Sequence, residues 1–214
     1  MNRIATAALL SISLLALAVS LAAGGVPSAA NCTLPACMAL CPLGDMPFDV
    51  TIRDVANNPI AGAVVTLDFS GCPNGAFICS PGLPTDPYTI DLVGRKLTMS
   101  TDAAGNASFH ARVGGTGPAG CAAVFASGVL LRNYALASPD QNGNGVVLLF
   151  LGSDLPTFTA KVGLADPTAD FDCSGGPVDG NDQLILSEHG NHTCLGIGDP
   201  VRRRTWGSVK TVYR

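Results

Sequence analysis

The sequence predicts a mainly β protein, an antiparallel β-sandwich followed by a small α-helical unit. Glycine and proline are abundant, with 25 and 15 residues, and this composition favours short strands joined by many turns. Seven or so short apolar stretches fall between turn signals within about 90 residues, as in an antiparallel sandwich. Two acidic, glycine-rich turns that lead into helical patterns predict the second part.

The first 30 residues predict a secretory signal peptide. Arg3 precedes the apolar stretch IATAALLSISLLALAVSLAA, and the small residues SAA at 28–30 precede a cleavage point before Asn31. LAA at 21–23 is an earlier alternative. A retained membrane anchor is the alternative to cleavage, because the stretch approaches the length needed to span a bilayer. We expect a secreted or cell-surface protein with no membrane span after cleavage.

Eight cysteines predict disulfide bonds, because a secreted chain folds in an oxidising compartment. Cys173 and Cys194 stand apart from the others and are a candidate pair. A zinc knuckle in the first cluster is disfavoured, because its spacings contain no C-x-x-C pair. The sequence leaves open the connectivity of Cys32, Cys37, Cys41, Cys72, Cys79 and Cys121.

A lead-in rich in cysteine and proline, residues 31–47, precedes the predicted sandwich at 48–137. In FDVTIRD, Phe48, Val50 and Ile52 alternate with polar residues, which is the pattern of a half-buried strand. Four prolines and two cysteines make 71–87 a predicted loop, and GGTGPAG a predicted break. The other predicted strands are AGAVVTLDF, YTIDLVG, KLTMSTD, ASFHARV, CAAVFASGVLL and NYALA.

Two stretches, VTIRDVANNPIAGAVVTLDF and MSTDAAGNASFHA, resemble the Ig-like modules of bacterial surface and secreted proteins. Carboxypeptidase-regulatory-like and invasin-type repeats have this cadence of a strand, a turn ending in P-x-x-G-A, a strand, and T-D-x-x-G-x-A-x-F. Gly62 and Gly105 allow tight turns of the backbone, and the Asp102 side chain can hydrogen-bond to the backbone of its own turn. Phe109 is expected to enter the core. The resemblance implies an Ig-like fold over about residues 46–136 and says little about function.

Two acidic segments match the start of an EF-hand calcium loop, which needs oxygen ligands at positions one, three and five and a glycine at six. A carboxylate is needed at position twelve. The first loop has Leu151 there, so Asp154 is the next available carboxylate; in the second, Gly176 is one residue extra and Asp182 takes position twelve. The candidates at positions one, three and five are Asp140, Asn142 and Asn144 in the first loop and Asp170, Asp172 and Ser174 in the second.

Each loop leads into a short segment, DLPTFTAKVG or DQLILSEHG, that begins with aspartate and ends in glycine, as a short helix does. This repeat resembles a type I dockerin domain over residues 138–194. The resemblance implies Ca²⁺ as cofactor and a cohesin-like or envelope protein as partner, linked to polysaccharide breakdown. It would add Asp179, through water, and the Pro177 carbonyl as ligands, and a Cys173–Cys194 disulfide inside the unit. The alternative is a pair of metal-free Asx turns.

Other function classes have less support. The acidic segment followed by the basic tail at 195–214 argues against nucleic-acid binding. No H-E-x-x-H, G-x-S-x-G or phosphate-loop motif occurs, so we expect no enzyme; one would need a constellation across loops 71–87 and 114–120. A carbohydrate-binding or adhesin module is the alternative function, although one Trp and three Tyr are few for a sugar site. His189, His192 and Cys194 form a candidate transition-metal set, against which exposed helix-end histidines are favoured.

Overall fold

The computed structural model describes residues 25–79, 86–149 and 154–194, with the backbone of 196–197. The predicted signal core and most of the basic tail lie outside these residues. The described part is mainly β, which confirms the predicted class. Its helices are α1 (Asp154–Thr159) and α2 (Gly180–Glu188). Its strands are β1 (Met38–Ala39), β2 (Phe48–Thr51), β3 (Val64–Asp68), β4 (Phe77–Ile78), β5 (Thr89–Asp91), β6 (Lys96–Ser100), β7 (Asn106–Phe109), β8 (Val113–Gly114), β9 (Gly117–Ala126), β10 (Val129–Ala137), β11 (His192–Thr193) and β12 (Gly196–Ile197).

A six-stranded sheet in the order β1-β10-β9-β3-β6-β5 forms the main layer. Its pairs are antiparallel except β1 with β10, which is parallel and brings the Cys-rich lead-in into the sheet. Separate two-stranded pairs join β2 to β7, β4 to β8, and β11 to β12.

The longest strands, β9 and β10, correct the predicted strand boundaries. CAAVFASGVLL is not one strand, because Ser127 and Gly128 both have positive φ, 46° and 82°, and form the two-residue turn of a hairpin. The predicted break GGTGPAG already contains the start of β9. The predicted loop 71–87 includes β4. In the turn before that strand, the Arg95 guanidinium donates to the carbonyl of Cys72 over 2.7 Å.

Alternation along β2 and β7 builds one side of the core. Phe48 pairs in register with Phe109, and both rings are buried. In the turn before β7, the Asp102 carboxylate accepts the N–H groups of Ala104 and Asn106, both over 2.8 Å, as expected for this residue. The core is apolar and continuous from these strands to the main sheet, including Val65, Leu67, Phe69, Leu97, Val124, Ala126 and Leu136.

A second, smaller core lies under the C-terminal helices. The Phe158 and Phe171 rings stack with centroids 5.7 Å apart, and Leu186 of α2 is buried. Phe158 and Leu186 hold the same place after the two acidic loops, and burial of both explains why the repeat carries an apolar residue there. No helix of the described residues is long and apolar enough to cross a bilayer.

Three disulfides correct the predicted cysteine pairing. Cys173 pairs with Cys37 and Cys194 with Cys79, so the expected Cys173–Cys194 bond is wrong. Both cysteines face the β part, because the C-terminal unit packs on it. The spacing of cysteines in the sequence does not predict that packing. The third bond, Cys72–Cys121, lies within the β part, and Cys32 and Cys41 are free thiols. Three disulfides fit an oxidising environment.

Candidate calcium-binding loops

The two acidic loops follow the same backbone path. At loop position four, φ is 71° at Gly143 and 59° at Cys173; at position six, it is 85° at Gly145 and 70° at Gly175. Glycine accepts this left-handed backbone readily, whereas a cysteine there is uncommon. Equal turns at equal positions mean that the residues at positions one, three and five are placed alike in the two loops.

The first aspartate of each loop anchors the turn. Asp140 accepts the N–H of Asn144 over 3.1 Å and that of Gly145 over 2.9 Å. Asp170 accepts the matching groups, Ser174 N–H over 2.9 Å and Gly175 N–H over 2.8 Å. Both carboxylates are buried, at 0% and 5% exposure.

The side chains at positions three and five fold back over the loop. The side-chain oxygens of Asn142 and Asn144 accept the N–H groups two residues on, each over 2.9 Å. In the second loop Asp172 does the same over 3.0 Å and Ser174 over 3.2 Å. These are Asx-type turns, and they order the side chains at the positions where a calcium loop has its ligands.

A second carboxylate closes each loop from the following helix. Asp154, at the start of α1, accepts Asn142 N–H over 3.1 Å and Leu148 N–H over 2.8 Å. Asp182 of α2 accepts Phe171 N–H over 2.7 Å. The insertions therefore do not keep either carboxylate from its loop, and both are almost fully buried.

The donor set of the second loop fits calcium. One carboxylate oxygen each from Asp170, Asp172 and Asp182 lies within 4.8 Å of the others, and these are the hard ligands that Ca²⁺ prefers. Asp179 stays a predicted ligand through water, and its carboxylate also caps α2 by accepting Asn181 N–H over 2.7 Å. The Pro177 carbonyl stays a predicted ligand.

The first loop offers two carboxylates and two amide oxygens, which is a weaker set of the same chemical kind. Burial raises the pKa of Asp140 to about 6, and the negative charge of Asp154 acts in the same direction. Burial also raises the pKa of Asp154 and of Asp170. Charged carboxylates in these positions are costly unless a cation offsets them.

Each loop is held against the β part at a different point. The second loop is tied through its own Cys173 to Cys37. The first loop is held by Cys194, whose N–H donates to the Gly145 carbonyl over 3.2 Å. A Cβ at Gly143 would lie 2.2 Å from the Gly75 carbonyl oxygen, so only glycine fits this contact.

Four residues from distant parts of the sequence form a separate cluster of potential metal ligands. Cys41, Asp45, His189 and His192 each place one potential ligand atom within 4.8 Å of the others. The expectation of exposed helix-end histidines is wrong, because only 13% of the His189 side chain and 11% of the His192 side chain are exposed. The alternative set with Cys194 does not form either, because Cys194 is in a disulfide and Cys41 lies beside the histidines instead. No spacing signal could have found this group, because Cys41 and His192 are 151 residues apart.

Comparison with known proteins gives no match among protein-family models, curated proteins or solved structures. Function is therefore inferred from the residues and their geometry.

Proposed function

We propose that this chain is a non-catalytic secreted or cell-surface protein whose paired calcium-binding loops and helices form a dockerin-like unit for protein–protein attachment. The β part then serves as an Ig-like structural or adhesion module. The proposal rests on the repetition of one loop structure. In each copy, two buried aspartates accept hydrogen bonds from backbone N–H groups of the loop. The pairs are Asp140 with Asp154 and Asp170 with Asp182.

Calcium explains this design better than metal-free turns do. An Asx turn needs one exposed side chain, whereas each loop buries two carboxylates close together. Backbone N–H groups stabilise the charges only in part, as the raised pKa of Asp140 indicates. A divalent cation would supply the missing positive charge, held by Asp140, Asn142, Asn144 and Asp154 in one loop and by Asp170, Asp172, Ser174 and Asp182 in the other.

Attachment is supported by the outer surface of the same unit. Val162, Leu164 and Leu184 leave 46%, 57% and 57% of their surface exposed. A protein partner could cover such apolar side chains. Gly180 and Asn181 stand where dockerin-like recognition usually has a hydroxyl pair, so we propose a cohesin-like or other envelope protein whose contacts differ from that pattern. A link to polysaccharide breakdown is part of this proposal.

A sugar-binding face on the sandwich has less support. Such sites use exposed aromatic rings, but Tyr88 and Tyr134 are buried, at 6% and 4% exposure. Trp206 and Tyr213 lie outside the described residues. The catalytic alternative has no motif in its favour.

A calcium titration with thermal unfolding tests the proposal on the secreted protein with its disulfides intact. At a calcium concentration about 1,000 times the dissociation constant, the native state should gain about 4 kcal/mol. A chelator should reverse the gain.

Asp170→Asn is the informative variant, and Asp49→Asn on the exposed face of β2 is its matched control. The first should lose most of the calcium response, and the second should keep it. A native protein that neither binds calcium nor gains stability from it contradicts the proposal.

A further inference from the structure

Four side chains from two distant parts of the chain converge beside the end of α2. The Cys41 sulfur lies 3.5 Å from His192 Nδ1. One oxygen of Asp45 lies 3.1 Å from the same nitrogen and 3.7 Å from His189 Nε2. Sulfur, imidazole nitrogen and carboxylate oxygen thus surround one point.

These spacings match the edges of a tetrahedral metal site. With zinc bonds of about 2.3 Å to sulfur and about 2.0–2.2 Å to nitrogen and oxygen, tetrahedral geometry separates S from N by about 3.6 Å and N from O by about 3.4 Å. The observed separations of 3.5, 3.1 and 3.7 Å lie within a few tenths of an ångström of these values. The ligand atoms of all four groups lie within 4.8 Å of one another, so the remaining separations would shorten by up to about 1 Å when an ion binds.

The tautomer of His189 is already that of a metal ligand. Its Nδ1 lies 2.7 Å from the Ile185 carbonyl oxygen, which can only accept, so Nδ1 carries the proton. Nε2 is then left with its lone pair on the side of Asp45 and the other two groups. A ligating histidine usually donates its second ring nitrogen to a backbone carbonyl or carboxylate in this way.

We propose that Cys41, Asp45, His189 and His192 bind one zinc ion in a structural site. Four protein ligands close the tetrahedron and leave no position for a substrate, as in structural rather than catalytic zinc sites. The mixture of thiolate and imidazole selects zinc over calcium, which takes oxygen ligands, so this site is distinct from the acidic loops. On binding, the thiol of Cys41 releases its proton and the thiolate coordinates the ion.

The zinc ion would join the two parts of the molecule. Cys41 and Asp45 belong to the segment between β1 and β2, whereas His189 and His192 follow α2. Access is available, because Asp45 and His189 line a cavity of ≈ 300 Å³ that extends to Cys173. The ion would hold the end of α2 in place next to the Cys37–Cys173 disulfide, and would keep Cys41 out of thiol exchange.

The test uses the mature protein with its three disulfides formed, freed of metal and then saturated with calcium so that the acidic loops are occupied. Titration with Co²⁺ reports a thiolate ligand through its charge-transfer absorption, and competition with Zn²⁺ gives the affinity. We expect one Co²⁺ per chain with tetrahedral spectra and a thiolate band, displaced by one Zn²⁺.

Cys41→Ser should remove the thiolate band and weaken zinc binding more than about a hundredfold, since loss of a ligand exceeds the effect of losing an outer-shell partner. Cys32→Ser is the matched control, because Cys32 is the other free thiol and lies beside Arg53 instead. His189→Asn keeps an amide N–H for the Ile185 carbonyl but removes the Nε2 ligand, and it should lose zinc without unfolding.

Two results overturn the proposal. One is native protein that shows no thiolate-to-cobalt band, a measurement that does not depend on any variant folding. The other is zinc affinity that is the same in the native protein and in His189→Asn. Either result would leave the four groups as a hydrogen-bonded cluster. Calcium binding by the acidic loops would be unaffected in both cases, so this inference and the proposed function can fail separately.

Discussion

The two acidic loops share a backbone but differ in charge. In both, an aspartate at position one accepts the N–H groups of positions five and six, and an aspartate from the next helix closes the loop. The second loop adds Asp172, where the first has Asn142. Because calcium affinity follows the number of charged ligands and the rigidity of the site, we expect the second loop to bind calcium more tightly.

The loops also differ in how they are anchored. Cys173 ties the second loop covalently to the lead-in of the sheet, whereas the first loop rests on Gly75 and on the backbone of Cys194. The difference teaches that the second loop combines a third carboxylate with a covalent anchor, whereas the first loop has two carboxylates and is held by packing and backbone contacts. Three predictions test this contrast, from the largest expected effect to the smallest.

Removing the disulfide of the second loop should have the largest effect. We expect Cys37→Ser with Cys173→Ser to cost about 2–5 kcal/mol of stability, because the unfolded chain regains the freedom of a long closed loop. Calcium affinity of the second loop should fall as well, since the loop loses its anchor. Denaturant unfolding and calorimetric titration measure the two effects.

The control is Cys72→Ser with Cys121→Ser, which opens the disulfide inside the β part. It should lower stability yet leave calcium affinity unchanged. Equal losses of calcium affinity in both double variants would mean that the Cys37–Cys173 bond has no specific role in the second loop.

The metal-free protein should lose stability as pH rises. Burial raises the folded-state pKa of Asp140 to about 6, above its unfolded value, so its contribution is fully present below about pH 4 and is lost as pH rises through 6. The cost of this one group is on the order of 3 kcal/mol, and Asp154 and Asp170 act in the same direction. About half of this cost, roughly 1.4 kcal/mol, falls between pH 5 and pH 7, and unfolding at these two pH values without metal measures it.

Asp140→Asn should make the stability of the metal-free protein less dependent on pH. In the native protein, calcium should counteract the loss of stability at higher pH, because it favours the charged carboxylates. Asp170→Asn is the comparison variant for the second loop. A metal-free protein more stable at pH 7 than at pH 5, with Asp140→Asn showing the same profile, would show that Asp140 is not a buried acid of this kind.

Exchanging the charged and neutral residues at position three should reverse which of the two loops has the higher calcium affinity. Asn142→Asp should tighten calcium binding in the first loop about tenfold, and Asp172→Asn should weaken the second by about as much, or about 1.4 kcal/mol each. Without calcium, Asn142→Asp should lower the melting temperature, because it adds a negative charge beside Asp140 and Asp154. Calorimetry resolves the affinities; changes of the same sign in both variants would refute the contrast.

Much of the local structure could be predicted from sequence. The alternation of Phe48, Val50 and Ile52 predicted the buried face of β2 and of the residue after it, and all three side chains are buried. The aspartate that begins each short segment after a loop predicted the two helices. Strand ends were less predictable. The turn at Ser127 and Gly128 depends on positive backbone φ angles, and the apolar residues on both sides of it made CAAVFASGVLL look like one strand. The loop residues were found because turns and EF-hand-like loops use fixed, short spacings.

The sequence by itself determined the mainly β class, the repeated acidic loops and the presence of many cysteines. All of these are properties of neighbours along the chain, where hydrophobic periodicity and turn chemistry act. Only the tertiary structure decided that Cys173 pairs with Cys37, that Cys194 pairs with Cys79, and that Cys41 lies beside His192. These contacts join residues more than a hundred positions apart, and they form because the C-terminal unit packs on the β part, an outcome of the whole core rather than of any local pattern.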